Sequence, residues 1–293
     1  MSAAPRLRPS QPGDEEALKR IWKLSFNDED SFINMFFRDF YIQGMATVVE
    51  FDSFPVSSVY TLEGARVSFP GEPELNCAYV YSLGTLPEYR NRGYGAKVVR
   101  ECARRAFSTG SDFVCVLPAS DSLYRWYEDT LRPHACFRIR EHRFRLRELP
   151  AGPPLVQAEV IDSAEYGILR EKLLASRPHV HFGNKLLMWQ EAICKYFGGG
   201  LYRLRHEGVE GCATVVPEGD SLTICELLLP LGSVLQAAAA LSSLHPAGSF
   251  IVRSPVFWGT DQGGNIREHV VAVSSPGRQL PVSKDAYWGL AFD

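Results

Sequence analysis

The stretch YSLGTLPEYRNRGYGAKVVRECARRAF, Tyr81 to Phe107, constrains this chain more than any other part of it. Strand-forming residues run up to Leu86, and Pro87 ends the run because it removes a backbone donor. A loop with two arginines and two glycines follows. From Tyr94 onward Val99, Cys102, Ala103, Ala106 and Phe107 fall at helical spacing, with Lys97, Arg100, Glu101, Arg104 and Arg105 on the other face. The pattern predicts a strand, a loop and an amphipathic helix packed on a sheet. A loop that enters a helix N-terminus presents unpaired N–H groups and the positive end of the helix dipole, which suits phosphate. Gly93 and Gly95 let the main chain approach an anion closely, and Arg90 and Arg92 add charge-assisted hydrogen bonds. The segment reads as a pyrophosphate cradle. It lacks the Gly-Lys-Ser/Thr ending of a P-loop and the G-x-G-x-x-G spacing of the dinucleotide fold.

The flanking pattern is mixed α/β. A short strand at Leu7 and helices at Asp14–Leu24 and Asp30–Phe40 precede strands at Ala46–Phe51, Val56–Leu62 and Ala78–Leu86. After the amphipathic helix come the buried strand FVCVL and a helix opening at Ser120 or Asp121 and running through Thr130. The arginine-alternating FRIREHRFRLREL reads as a closing strand. LPAGPP, Leu149 to Pro154, is the candidate linker, which divides the chain into 1–149 and 150–293. The second half repeats the order: strands at Leu201–Arg205, Val209–Val216 and Ser221–Leu229, a helix at Val234–Leu244, and a strand at Ser249–Val252. There, Pro230 leads almost directly into the helix, without the arginine and glycine loop.

Composition narrows the partners. With 31 basic against 34 acidic residues the formal charge is -3, so no cationic excess exists to neutralise a nucleic-acid backbone. The only apolar run near membrane-span length, Glu226 to Leu244, is broken by Pro230, Gly232, Ser233 and Gln236, and reads as strand, turn and helix. The N-terminal MSAAPRLRPSQPGDEE lacks the apolar core of a signal peptide. Seven cysteines without a C-x-x-C pair read as reduced thiols packed as small hydrophobes, and the expected location is cytoplasmic.

Arg90-Asn91-Arg92-Gly93-Tyr94-Gly95 after Leu86-Pro87 resembles the signature of the GNAT superfamily of acyl-CoA-dependent N-acyltransferases: Arg or Gln, two residues, Gly, one residue, Gly or Ala. The resemblance implies an α/β (α+β) fold of two GNAT-like mixed-sheet units in tandem, the second degenerate, with acetyl-CoA as acyl donor. It implies a cofactor site formed by Leu83, Gly84 and Thr85 at a splayed strand edge, by Arg90 to Ala96 at the loop, and by Ser122 and Leu123 on the later helix. The family's second signature places an aromatic pair on that helix, seven residues beyond an Asn; here the pair is Trp126-Tyr127, and Ser120 stands where the Asn would be.

Acyl transfer from a thioester to an amine needs a deprotonated amine, an oxyanion site and a proton for the departing thiolate. Resemblance makes Tyr127 the donor of that proton, with Tyr124 one turn earlier as the alternative. Glu50, Asp52, Glu88 and His134 are open candidates for the base, as is a chain of waters. The layout is similar to the tandem-GNAT enhanced-intracellular-survival acetyltransferases, whose C-terminal carboxylate is the base. Those enzymes carry a third domain that this sequence has no room for, so Asp293 is not carried into the catalytic set.

The acceptor is expected to be a small-molecule or peptide amine. NDED, Asn27 to Asp30, either draws a cationic amine or caps the second helix. The arginines from Arg138 to Arg147 either meet a phosphate or keep a strand face soluble. His179-x-His181 has no acidic or thiol partner at ligand spacing in the sequence, so no metal is expected. The competing readings are a non-catalytic acyl-CoA sensor, a mycothiol-synthase-like enzyme, and aminoacyl transfer, which normally does without the loop.

Overall fold

The computed structural model describes residues 4–230, 233–258, 263–278 and 286–292. Packing divides the chain into two compact units: Met1–Ala65, Leu75–Ala135 and Val271–Leu280 form the first, and Arg66–Glu74, Cys136–Val270 and Pro281–Asp293 the second.

The first unit runs β1 (Arg6–Pro9), α1 (Glu15–Phe26), α2 (Asp30–Asp39), β2 (Ala46–Phe51), β3 (Phe54–Ser68, whose residues from Arg66 on belong to the second unit), β4 (Leu75–Thr85), α3 (Tyr94–Ser108), β5 (Phe113–Val116) and α4 (Asp121–Leu131). Its strands lie in sequence order, β1 to β5, and β5 pairs on its far side with Val271–Ser274. The pairs at β1/β2 and β2/β3 are antiparallel, whereas β4/β5 is parallel, as a strand–helix–strand crossover through α3 requires. The apolar stripe of α1 buries Leu18, Ile21 and Trp22, and that of α2 buries Phe32, Ile33, Phe36 and Phe37. The Trp22 ring lies 4.8 Å from that of Phe36 and 5.4 Å from that of Tyr60. This nest is closed core, since all three rings are buried. At the edge, buried Arg8 binds Asp14 and Glu50, each at 2.6 Å, and ties β1 to the start of α1 and to β2.

The second unit continues with β6 (Ala135–Arg145), β7 (Gln157–Ile161), α5 (Ser163–Leu174), β8 (His179–Phe182), α6 (Asn184–Tyr196), β9 (Gly200–His206), β10 (Val209–Glu218), β11 (Ser221–Leu228), α7 (Val234–Leu244), β12 (Ser249–Ser254) and β13 (Asn265–Ser274), whose residues from Val271 on belong to the first unit. The strand order β7-β9-β10-β11-β12 repeats that of β1 to β5, and β11/β12 is again the parallel pair, crossed by α7. The duplication therefore goes deeper than the sequence pattern shows, because β7, α5 and α6 complete it. Helix α5 escapes a periodicity search because Arg170 and Ser163 are buried and Ile168 is exposed, which blurs the apolar stripe. Its start was nonetheless written in the sequence: Asp162 caps the Glu165 N–H at 2.8 Å in D-S-A-E.

A buried polar knot fixes the second core. Arg170 and Glu226 are both essentially inaccessible and meet at 2.9 and 3.2 Å, and the Tyr166 hydroxyl donates to the same carboxylate. The guanidinium also donates to Val180 O (2.6 Å) and Trp288 O (3.2 Å), anchoring the C-terminal segment, where Tyr287, Trp288 and Phe292 are buried. Burial opposes the charge on Arg170, and the Glu226 carboxylate outweighs it, holding the guanidinium above its ordinary pKa. At Gly289, whose φ is +81°, a Cβ would collide with the Glu226 carboxylate.

Candidate active site

The ladder between β4 and β5 ends at Val80 and Val116, while Tyr81–Thr85 continue as strand. This extension contains Ser82, a non-glycine residue with φ +49°, which bends the strand as a bulge does. Its Oγ is buried and has no hydrogen-bond partner among the described residues. On the β3 side the extension is anchored: the Ser57 hydroxyl donates to Gly84 O at 2.9 Å and lies 2.8 Å from Thr85 Oγ1, and Leu86 N–H donates to Val56 O at 3.0 Å. Gly84 lies against α1, where a Cβ would stand 2.6 Å from Ser25 Oγ and 2.9 Å from Ile21 Cγ2. Gly84→Ala is accordingly expected to cost about 1–3 kcal/mol by overpacking, measured as a lower urea midpoint with unchanged slope.

Pro87–Tyr89 form a 3-10 turn, and the loop then reaches α3 through two residues in the left-handed region, Asn91 (φ +60°) and Gly93 (φ +75°). Gly93 is the N-cap of α3, and no side chain caps the helix. The leading N–H groups of α3 thus lack the side-chain acceptor that a serine or aspartate N-cap would give. A Cβ on Gly93 would have nothing within 4 Å. The two arginines of the loop have main-chain partners. Arg90 donates to Thr85 O (3.1 Å) and Leu24 O (3.1 Å), and Arg92 donates to Glu88 O (2.9 Å) with its guanidinium 5.2 Å from the Tyr89 ring. Both hold the loop in shape through main-chain carbonyls. Tyr94, read as part of the cradle, is buried, 6.4 Å from the Tyr89 ring.

Helix α4 lies along α3, tied by Arg100 Nε to Thr130 O at 3.0 Å. Trp126 comes within 3.7 Å of where a Gly95 side chain would begin, as does Thr85 Oγ1, so loop, strand end and α4 converge at the start of α3. Tyr127 stands beside Trp126, ring centroids 4.9 Å apart, and is 5% exposed. Burial, with a smaller contribution from nearby Cys102, pushes its phenol well above the ordinary value. It is therefore neutral at pH 7. Ser122 and Leu123 sit exposed in the first turn of α4, with Ser122 Oγ 3.0 Å from Ser120 Oγ, and Tyr124 is half-buried.

Three of the four base candidates have other partners. Glu50 binds Arg8, and Glu88 lies 3.4 Å from Arg20. His134 Nε2 accepts the Ser274 N–H at 3.2 Å, which leaves Nδ1 to donate to Arg132 O at 3.0 Å. Asp52 lies in the turn after β2 with φ +48°. Two of the three NDED carboxylates are engaged as well: Asp28 accepts from Trp22 Nε1 at 2.7 Å, and Asp30 lies 3.2 Å from Lys23. Asp293 lies outside the described residues. The arginines from Arg138 to Arg147 belong to the second unit. His179 and His181 do find an acid that sequence spacing hid: Glu171 of α5 lies 3.0 and 3.1 Å from them. Despite its burial these hydrogen bonds hold Glu171 below the carboxylate range. Among the described residues no group of three His, Cys, Asp or Glu is disposed to hold a metal, and no helix is long and apolar enough to cross a membrane.

A sequence-family model described as an acetyltransferase (GNAT) domain matches residues 6–128. No curated protein matches the sequence. Among solved structures, the chain is similar to Eis1 from Mycobacterium abscessus (TM-score 0.63, 11% identity, 92% of this chain and 73% of that one). It is also similar to a GCN5-related N-acetyltransferase from Anabaena variabilis (TM-score 0.69, 11% identity, 92% and 72%) and to a probable N-acyltransferase from Enterococcus faecalis (TM-score 0.66, 14% identity, 93% and 72%). At these identities the likeness is one of fold.

Proposed function

We propose that residues 6–128, which match the GNAT acetyltransferase domain model, work as such a domain, and that the chain transfers an acetyl group from acetyl-CoA to a primary amine of a small molecule or peptide by direct attack. The observation that carries this reading is that β4 runs on to Thr85 past the end of its ladder with β5 at Val80 and Val116, while the N-terminus of α3 has no side-chain cap. Two further features fit an acyl-CoA: the open space at Gly93, where an anion can approach the main chain, and the orphaned Ser82 hydroxyl at the bulge.

Acetyl-CoA supplies an acetyl group activated as a thioester. The backbone of Leu83, Gly84 and Thr85 holds its extended arm, and N–H groups there take up the charge that develops on the acyl oxygen. The N–H groups from Asn91 to Ala96 receive the phosphates, with Arg90 and Arg92 shaping the loop, and Ser122 and Leu123 flank the site. As the amine nitrogen bonds to the acyl carbon and the carbon–sulfur bond breaks, Tyr127 Oη gives its proton to the leaving sulfur, and the proton that the amine loses returns through water to the Tyr127 oxygen. Residues 1–149 form the acyl-CoA domain in this reading. Residues 150–293 are a degenerate repeat without the loop, and the protein is cytoplasmic with no nucleic-acid partner.

The test needs no acceptor. Acetyl-CoA is expected to raise the melting temperature of the full chain in proportion to log concentration above its Kd. Gly93→Glu, which places a carboxylate at the cradle, is expected to abolish the rise, and Arg92→Ala to weaken it. Binding by Gly93→Glu as tight as wild type would place the ligand elsewhere.

A further inference from the structure

The loop before α3 is tied to α1 as well as to its own strand. The Arg90 guanidinium reaches carbonyls on two different elements: Nε donates to Thr85 O at the end of β4, and Nη2 to Leu24 O in the last turn of α1, both at 3.1 Å. A helix leaves its last four carbonyls without a helical donor. At the end of α1 the left-handed Asn27 (φ +60°) returns its N–H to Lys23 O at 2.9 Å, and Arg90 supplies a donor to the next carbonyl in line. It also sets a positive charge at the negative end of the helix. That turn walls the stretch of β4 read above as the acyl site. Ser25, next to Leu24, and Ile21, one turn back, abut Gly84 so closely that a Cβ there would lie 2.6 Å from Ser25 Oγ and 2.9 Å from Ile21 Cγ2. A guanidinium fork spans two acceptors at fixed geometry, which a single ammonium cannot do. Arg90 thus joins loop, strand end and helix end. A second tie between loop and helix, Arg20 to Glu88 at 3.4 Å, is an exposed ion pair, and such pairs hold little. The Arg90 contacts are solvent-exposed as well, so water competes with them until something fixes the loop.

We propose that Arg90 is a positioning residue that carries donor binding from the loop to α1, so that the wall beside the incoming amine is set only once acetyl-CoA is bound. The proposal rests on the acetyl-CoA reading of the loop. Phosphates held by the N–H groups from Asn91 to Ala96 fix the loop, and the fixed loop keeps Arg90 on Leu24 O. The last turn of α1, where a helix end otherwise frays, is then held against Gly84. Linkage makes the effect mutual, since a set α1 also strengthens donor binding. The kinetic consequence is an order of binding, acetyl-CoA first and the amine second.

Hydrogen exchange of the full chain, read by mass spectrometry, tests this without any acceptor. Saturating acetyl-CoA is expected to slow exchange by about fivefold or more both in the loop, residues 87–96, and in the last turn of α1, residues 23–28. Arg90→Met keeps an apolar stem and removes both donors; the loop should still respond, while the change in α1 shrinks to within about twofold. Arg20→Ala should leave both responses in place. A wild-type loop that responds without α1 overturns the proposal. So does an α1 response that survives Arg90→Met, or one that is lost with Arg20→Ala. Where Arg90→Met no longer binds acetyl-CoA, Arg90→Lys decides, because it keeps the charge but cannot span both carbonyls. A loop response without an α1 response in that variant supports the coupling, and any other result overturns it. No response in the wild-type loop itself means that the acetyl-CoA reading has failed, and the proposal falls with it.

Discussion

Tyr127→Phe is expected to lower kcat about 10²-fold while the KM for acetyl-CoA stays within about twofold, because the change removes one proton and no packing volume. The ring is 5% exposed against Trp126, so Phe keeps the contacts and loses only the hydroxyl. Burial holds the phenol protonated well past its ordinary titration near pH 10. The sign follows directly: raising the pH from 7 to 10 should not cost wild-type activity through this group, since its acidic form persists. Steady-state kinetics of CoA release across that range, with any amine that supports turnover, measures both effects. A Tyr127→Phe enzyme with kcat within about twofold of wild type would transfer the role to another donor, Tyr124 first.

Glu226→Ala is expected to destabilise the second unit by about 3–5 kcal/mol, since it leaves the Arg170 guanidinium, in a site with essentially no solvent access, with only the longer contact to the Glu171 carboxylate, at 3.4 Å, as an ion pair. The Tyr166 hydroxyl loses its acceptor at the same time. Urea unfolding followed by two probes checks this, two being needed because the chain has two compact units. The paired replacement Arg170→Met with Glu226→Leu should recover much of the loss, as no unpaired charge remains. A loss below about 1 kcal/mol for the single change would mean that water reaches the ion pair in solution.

The parts of the fold legible in the sequence are those whose reason is local. Pro87 and the glycines mark the turn, the stripe from Val99 to Phe107 marks α3, and the apolar FVCV marks β5, each observed within a residue or two. Arg90 and Arg92 were legible as loop residues but not in their contacts. A guanidinium serves a main-chain carbonyl as readily as a phosphate, and only the folded loop brings Thr85, Leu24 and Glu88 within reach. Helix α5 was missed because a buried arginine reads as a surface residue until Glu226, far along the chain, is placed against it.

By itself the sequence determined the strand–loop–helix unit, the repeated order of elements and the aromatic pair Trp126-Tyr127, because hydrophobic period, proline and glycine act over a few residues. Tertiary structure alone decided where the β4/β5 ladder ends, that burial keeps Tyr127 protonated, that Glu171 joins His179 and His181, and that three arginines converge on Glu141. These depend on which groups long-range packing shuts away from water, and desolvation and charge pairing have no signature in residue spacing.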